Sequence, residues 1–215
     1  MLIKRIICKV KDGQRDSFSE YQQQWSRLSS VKGFMGQLGG WKNKQPFVAC
    51  VYAFWETRKA YEIFMEEVHD VIFSTFGQGS TYSSIDVDLY EEVGSVLKSV
   101  IEMRAVMRQS QYFRVSLGVL KGNKKAHFIL QQEQIWNPGM AATAGMVGGT
   151  YAFSLKDKNH FLVLTGWKDE VYHHRYYVDR RFPDLYRSAN SSEDVIRISA
   201  DEFKVENAWR VLKDL

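Results

Sequence analysis

The amino-acid sequence predicts an α+β fold made of two tandem ferredoxin-like repeats, each with the element order β-α-β-β-α-β. The first observation is internal similarity, because the Gly-Phe-Met-Gly of residues 33–36 is followed 112 residues later by Gly-Met-Val-Gly. The second is that Trp55 ends an apolar run and Trp167 ends another at the same offset. Each four-stranded sheet would leave one face bare. We therefore expect the repeats to cover each other as an intramolecular dimeric α–β barrel.

The elements of the first repeat follow from local patterns. Four segments are rich in apolar and β-branched residues or alternate in polarity, and we predict them as strands: 2–10, 33–41, 47–55 and 85–89. A helix over 17–28 is predicted from its apolar spacing, with Asp16 as its cap. Thr57 is predicted to cap a second helix that runs to about Ser74.

The second repeat shows the same order of patterns. Its predicted strands and helices, in chain order, are 113–120, 126–136, 145–155, 161–167, 170–181 and 195–205. Pro183 is expected to end the second helix early. The apolar spacing of Val96, Val100, Met103 and Met107 predicts a helical connector. The predicted organisation is therefore a first repeat over 1–93, a connector over 94–111 and a second repeat over 112–215.

Composition favours a cytoplasmic protein that binds neither nucleic acid nor membrane. The chain has 29 basic and 25 acidic residues, and their signs are interspersed. The densest basic segment, 121–125, contains Gly122 and Asn123 and indicates a turn. Cys8 and Cys50 lie in apolar runs without metal-ligand spacing, and they cannot form a disulfide framework. The chain starts with a strand pattern, and no apolar run approaches the roughly 20 residues of a membrane span.

Three segments of the first half carry a resemblance to a known family. They are Gly-Phe-Met-Gly-Gln-Leu-Gly-Gly-Trp at 33–41, Trp-Glu at 55–56, and Phe-Met-Glu-Glu-Val-His-Asp at 64–70. The first half thereby resembles the YdbC-like family of small uncharacterised proteins. Both halves look like the dimeric α–β barrel superfamily, which includes antibiotic-biosynthesis and haem-degrading monooxygenases. The resemblance implies a cofactor-free oxygenase, or a small-ligand pocket between sheet and helices.

The haem-degrading branch of that superfamily relies on an Asn, a Trp and a His. In the first repeat these positions fall near Ile6, on Phe64 and near Ser74. In the second repeat the Trp and His positions become Tyr176 and Tyr186. None of the three residue types is kept, so haem degradation by that route is not expected.

Two histidines are candidate catalytic residues. His69 follows Val68 of the apolar stripe on the second helix, where it could act as a base near neutral pH. Its alternative role is a surface histidine with a local partner. His173 is equivalent to Tyr61 and should face the sheet, within a cluster that could equally form a subunit interface. No metal is expected, because adjacent His173 and His174 diverge on a helix.

Large aromatic residues recur in both repeats and are the candidate ligand-binding residues: Trp25, Trp55, Tyr61, Phe64, Trp136, Trp167 and Tyr176. They could line a pocket for a flat aromatic ligand, or they could simply fill the core. The glycines of 33–40 precede a strand and not a helix, so a phosphate-binding loop is not expected.

The predicted function is a small-molecule-binding barrel, monooxygenase-like, that acts on an apolar or aromatic compound without a cofactor. The first alternative is a non-enzymatic assembly or partner-binding protein with a filled barrel, and the second is a haem-binding protein. The expected assembly is a monomeric pseudo-dimer or a homodimer. Because Val68 and Ile72 correspond to Arg180 and Asp184, we expect at most one working pocket, or two of different character.

Overall fold

The computed structural model describes residues 1–96, 103–179 and 181–213. They form two compact units that do not follow chain order alone. The first contains Met1–Glu91 and Phe203–Leu215, and the second contains Glu92–Glu202. In the part of the chain so described, no helix is long and apolar enough to cross a membrane.

The first unit has the predicted order of elements. In chain order they are β1 (Leu2–Val10), α1 (Arg15–Gln23), a 3-10 helix (Gln24–Ser30), β2 (Phe34–Lys42), β3 (Gln45–Trp55), α2 (Arg58–Glu67), α3 (His69–Phe76), a 3-10 turn (Gln78–Ser80) and β4 (Tyr82–Val96). The last part of β4, from Glu92 onward, is counted with the second unit. The strands pair antiparallel in the order β4-β1-β3-β2, which is the ferredoxin-like arrangement.

Two helix starts in this unit were predicted, with different outcomes. The Thr57 cap is confirmed, because its Oγ1 accepts a hydrogen bond of 3.1 Å from the Ala60 N–H. The Asp16 cap is wrong: the N-cap is Gln14, and Asp16 lies in the first turn of α1. A carboxylate is favourable there too, since it faces the positive end of the helix dipole.

The predicted second helix is divided into α2 and α3. Val68 lies between them with φ −123° and ψ −37°, outside the α-helical region. Because of this break His69 is the first residue of a new helix, instead of a continuation of the α2 stripe.

The second unit repeats the arrangement. In chain order it contains α4 (Met103–Gln109), β5 (Tyr112–Leu120), α5 (Lys125–Gln131), a π-helical turn (Gln132–Trp136), α6 (Asn137–Ala141), β6 (Met146–Ser154), β7 (His160–Trp167), α7 (Glu170–Val178), α8 (Arg181–Ala189), a 3-10 turn (Ser191–Glu193) and β8 (Val195–Lys204). Its strand order is β6-β7-β5-β8, the equivalent of the first unit.

Two predictions for the second unit need correction. Residues 94–96 belong to β4 and not to a helical connector, since the Gly94 carbonyl accepts a hydrogen bond of 3.1 Å from the Thr150 hydroxyl. Val100 lies outside the described residues, and the predicted helix exists from Met103 onward. Pro183 does not end a helix. It lies in the first turn of α8, where its missing N–H has no intrahelical partner to lose.

The C-terminal segment returns to the first unit. It contains a 3-10 turn (Asn207–Trp209) and β9 (Val211–Leu212), which pairs antiparallel with β2. Trp209 is fully buried and contacts the rings of Phe18 and Trp41 at 5.6 and 5.1 Å. The boundaries 1–93 and 112–215 stay a prediction for the two repeats in sequence. In the structure, the C-terminal segment packs with the first unit.

Candidate functional site

The first unit contains a cavity of about 430 Å³, which lies in the range typical of small-molecule sites. Strands β1, β2, β3 and β4 supply one side, and the helical segments supply the other. Most of the residues that line it are aromatic or aliphatic: Ile6, Trp25, Leu28, Val51, Ala53, Trp55, Tyr61, Phe64, Met65, Phe73, Tyr82, Ile85 and Val87.

Strand periodicity explains which residues reach this cavity. Alternate side chains of a strand point to the same face of the sheet. In β1 these are Lys4, Ile6 and Cys8, and in β3 they include Ala53 and Trp55. Each inward residue of β1 is paired with an inward residue of β3, as in the pair of Lys4 with Ala53.

Five of the predicted site residues of the first repeat lie together around this cavity: Trp25, Trp55, Tyr61, Phe64 and His69. The ring of Trp55 stacks on Phe64 at 4.6 Å and meets Tyr61 edge-on at 5.8 Å. These contacts hold two flat surfaces in fixed orientation, a geometry suited to an aromatic ligand.

His69 lies beside three aromatic rings. Its ring centroid is 5.6 Å from that of Trp25, 5.7 Å from Phe64 and 5.8 Å from Phe73. Its Nδ1 is 2.8 Å from the Asp70 carboxylate, and its side chain is 19% exposed. A histidine that touches both cavity and solvent can carry a proton between them.

A chain of amides fixes Trp25 at the cavity wall. The indole Nε1 of Trp25 donates to Gln78 Oε1 at 2.8 Å, and Gln78 Nε2 donates to Gln22 Oε1 at 3.0 Å. Both glutamines are buried. The sequence patterns did not identify them, because isolated glutamines in helical or turn segments usually face solvent.

Lys4 is the charged residue of the cavity that sequence reasoning missed. It is 7% exposed, and its Nζ lies 3.7 Å from Met65 Sδ and 5.3 Å from the centre of the Tyr61 ring. Burial lowers the pKa of Lys4 to about 8. Within the described ranges no carboxylate forms an ion pair with it. The sequence feature that could have identified it is the alternation of β1, which places Lys4 on the same face as Ile6 and Cys8.

Two further donors of the cavity are unsatisfied. Gln37 Nε2 and Trp55 Nε1 are both buried, and neither has a hydrogen-bond partner among the described residues. Each such group costs free energy until a ligand or water accepts from it.

The thiol and the two phenolic hydroxyls that face the cavity hold their protons. Burial raises the pKa of the Cys8 thiol to about 12 and raises the pKa values of the Tyr61 and Tyr82 hydroxyls. These groups are therefore uncharged near neutral pH.

The second unit has a smaller cavity of about 280 Å³, with different polar groups. Of the predicted residues, Trp136 and Tyr176 line it, whereas Trp167 and His173 are not among its lining residues. His173 is 4% exposed, with its ring 5.2 Å from Trp167. Burial lowers the pKa of His173 to about 4, so the ring is neutral at physiological pH.

The cation of the second cavity has two partners, a hydroxyl and a carboxylate. Arg114 Nη2 donates to the Tyr177 hydroxyl at 2.7 Å, and Arg114 Nε lies 3.8 Å from Glu202. Tyr112 donates to the same carboxylate at 2.9 Å. As the divergence between the repeats predicted, the two cavities differ in character. No cluster of three or more metal-ligating side chains occurs among the residues described in either unit.

Comparison with known proteins relates the first repeat to one family. Residues 2–90 match the family model described as "Domain of unknown function (DUF4937)". The protein of Bacillus subtilis (strain 168) called "Uncharacterized protein YdbC" is 42% identical over 94 residues, which cover 43% of this chain and 79% of that protein.

Solved structures resemble the whole chain in fold. A protein of Fusobacterium nucleatum provisionally called a monooxygenase gives a TM-score of 0.77 at 9% identity, covering 100% of this chain and 98% of its own. A similarly named protein of Lactobacillus acidophilus gives a TM-score of 0.70 at 9% identity, and the match covers 99% of each chain. An anthrone oxidase-like protein gives a TM-score of 0.65 at 10% identity, and the match covers 96% of this chain and 91% of that protein. The predicted fold class is confirmed: α+β, with two ferredoxin-like repeats in one chain and a fold of the dimeric α–β barrel type.

Proposed function

The chain belongs to the YdbC-like family, and we propose that it binds an apolar aromatic compound and oxygenates it without a cofactor. The cavity of the first unit is the site of this activity.

The observation that carries this proposal is the 430 Å³ cavity beside Trp55, Phe64 and His69. A binding site of this kind is mostly apolar, with a few polar groups that orient the ligand. The alternative of a non-enzymatic protein with a filled interior predicts side chains where this space lies. The space therefore favours small-molecule binding over assembly.

The structural neighbours support the reaction type by analogy. Two are provisionally called monooxygenases and one is anthrone oxidase-like. Fold alone does not define an activity, so the chemistry is argued from the residues of this chain.

An anthrone-type carbon illustrates the proposed reaction. A CH₂ group between two aromatic rings loses both hydrogens and gains one oxygen atom from O₂, and the second oxygen leaves as water. The substrate supplies all four electrons, two for the new ketone oxygen and two for the water. The protein must only orient the substrate, keep it dry and remove a proton to start the reaction.

The residues of the first cavity match these tasks. Trp55 and Phe64 hold the flat rings, and Trp25 closes the wall beside them. His69 removes the proton, with the Asp70 carboxylate 2.8 Å from its Nδ1 to stabilise the imidazolium. His173 is not among the residues that line either of the two cavities, so the proton-transfer role falls to His69.

Oxygen uptake with dithranol (1,8-dihydroxyanthrone) tests the proposal. We expect the wild type to consume one O₂ per dithranol and to place one atom from ¹⁸O₂ in the product. His69→Gln should lower kcat about 100-fold, because general-base catalysis typically contributes 10²–10⁴. His160→Gln is the matched control, since His160 is a half-exposed strand residue outside both cavities. Equal rates for wild type, His69→Gln and buffer would overturn the proposal.

A further inference from the structure

The two repeats place a cation at the same point of their first strands. Lys4 pairs with Ala53 across β1 and β3, and Arg114 pairs with Thr165 across β5 and β7. Ala53 and Thr165 are 112 residues apart, the offset of the duplication. The two cavities can therefore be compared position by position.

In the second unit the protein itself supplies partners at this point, although Arg114 Nε has no hydrogen-bond partner among the described residues. Arg114 is bound by Tyr177 and Glu202. The indole Nε1 of Trp167 donates to Thr165 Oγ1 at 3.1 Å. The neighbouring position on β6 is Gly149, which has no side chain.

In the first unit the equivalent donors lack these acceptors. Ala53 replaces Thr165, so the hydroxyl that binds the Trp167 indole is missing and Trp55 Nε1 has no partner in the described part of the chain. Gln37 replaces Gly149 and adds another N–H group without an acceptor there. Of the described residues that line this cavity, none is Asp or Glu.

The three donors belong to residues that surround Ala53 on the sheet. Lys4 and Gln37 both pair with Ala53, one from each neighbouring strand, so the three side chains share one face of the sheet. With strands about 4.8 Å apart, the two long side chains start roughly 10 Å from each other. Only a methyl group stands between them, which leaves room for a ligand atom.

We propose that the cavity of the first unit selects aromatic compounds with an anionic oxygen, held over Ala53 by the N–H groups of Lys4, Gln37 and Trp55. The inference rests on the proposed function and names its substrate class. An ionised phenolic or enolic hydroxyl and a carboxylate share this chemistry. Charge-assisted hydrogen bonds from a buried ammonium are stronger than neutral ones, so the charge of the ligand determines affinity. For an anthrone-type substrate, the enolate oxygen formed after proton removal fits the same position.

Binding of two matched probe pairs tests this proposal. The first pair is 2-naphthoate and its methyl ester, and the second is 2,4-dinitro-1-naphthol and its methyl ether. Dissociation constants are measured by isothermal titration at pH 7 with the full chain. We expect at least one anion to bind about 10- to 100-fold more tightly than its neutral partner. Preference for the carboxylate or for the phenolate alone identifies which oxygen the cavity takes, and either supports the proposal.

Variants of this chain test whether the three donors cause the preference for anionic probes. Lys4→Met keeps the length of the side chain and should reduce the anion preference to about threefold or less, while binding of the neutral partners is retained. Gln37→Leu, which removes a neutral donor, should lower it by a smaller factor. Ala53→Thr adds the hydroxyl found in the second unit and should weaken binding of the anionic probes. Thr165→Ala, in the second unit, should leave the affinity for these probes unchanged.

The outcomes separate this inference from the function on which it rests. Equal affinity for anionic and neutral partners, or an anion preference that survives both Lys4→Met and Gln37→Leu, overturns the inference and leaves aromatic binding intact. If none of the four probes binds, the proposed function fails together with it.

Discussion

Lys4 holds a positive charge inside an apolar cavity, and this charge destabilises the ligand-free protein. Its folded-state pKa of about 8 lies below the ordinary lysine value of 10.5, because burial disfavours the ammonium. Unfolding lets the group recover its hydration. Below pH 8 both states carry the charge, and a pKa shift of this size lowers the free energy of unfolding by roughly 3 kcal/mol. A ligand anion offsets that cost, so the residue serves binding at the expense of stability.

Lys4→Met should therefore stabilise the ligand-free protein by about 3 kcal/mol at pH 7. Between pH 8 and 10.5 the folded chain releases the Lys4 proton before the unfolded chain does, so wild-type stability gains on the variant and the difference shrinks. The other titratable groups that line the cavity are Cys8, Tyr61, His69 and Tyr82, and they are present in both proteins. Urea unfolding at pH 7 and pH 10 measures the difference.

Lys9→Met is the matched control for this prediction. Lys9 lies on the same strand with its side chain exposed, so its replacement should change the free energy of unfolding by less than about 0.5 kcal/mol at either pH. A destabilised Lys4→Met protein, or a gain that does not depend on pH, would contradict the account of Lys4.

At the scale of elements, the C-terminal segment is a structural part of the first unit. Trp209 is fully buried, its Nε1 donates to Ser19 Oγ at 2.9 Å, and its ring meets those of Phe18 and Trp41. Loss of such a side chain removes both apolar burial and packing.

Trp209→Ala should lower the free energy of unfolding by about 3–5 kcal/mol. Phe47→Ala, in the same unit, removes a large aromatic side chain that is 45% exposed and should cost less than about 1 kcal/mol. Denaturant unfolding of the two variants compares them directly. Similar losses for both would show that the segment contributes little to the unit.

The sequence predicted the elements well where periodicity was strong. Strands β3 and β7 were located to within two residues, because their apolar runs end at Trp55 and Trp167. The break at Val68 was not predictable, because Val68 also fits the apolar stripe of one continuous helix. The role of Trp209 was missed for a related reason. Its segment is too short to show a period, and its burial depends on distant residues of the first unit.

The candidate site was likewise predictable only in part. Its aromatic residues were predictable, because they recur in both repeats. The donors Lys4 and Gln37 were not, since a single lysine or glutamine in a strand usually faces solvent. Only the pairing of both residues with Ala53 places them around one point of the sheet.

At the scale of the whole molecule, duplication has been followed by divergence of the two cavities. One repeat retains a larger cavity with unsatisfied donors, while the other pairs Arg114 with Glu202 and Tyr177. We therefore expect a single ligand per chain.

Native mass spectrometry of the full chain, purified from its own host, tests this claim most directly. The account predicts one small molecule per chain, released on denaturation, with an aromatic ring system and an acidic oxygen. Lys4→Met purified in the same way should carry less of it. A ligand-free mass that does not change when 2-naphthoate or 2,4-dinitro-1-naphthol is added would contradict the account and favour a role in assembly or partner binding.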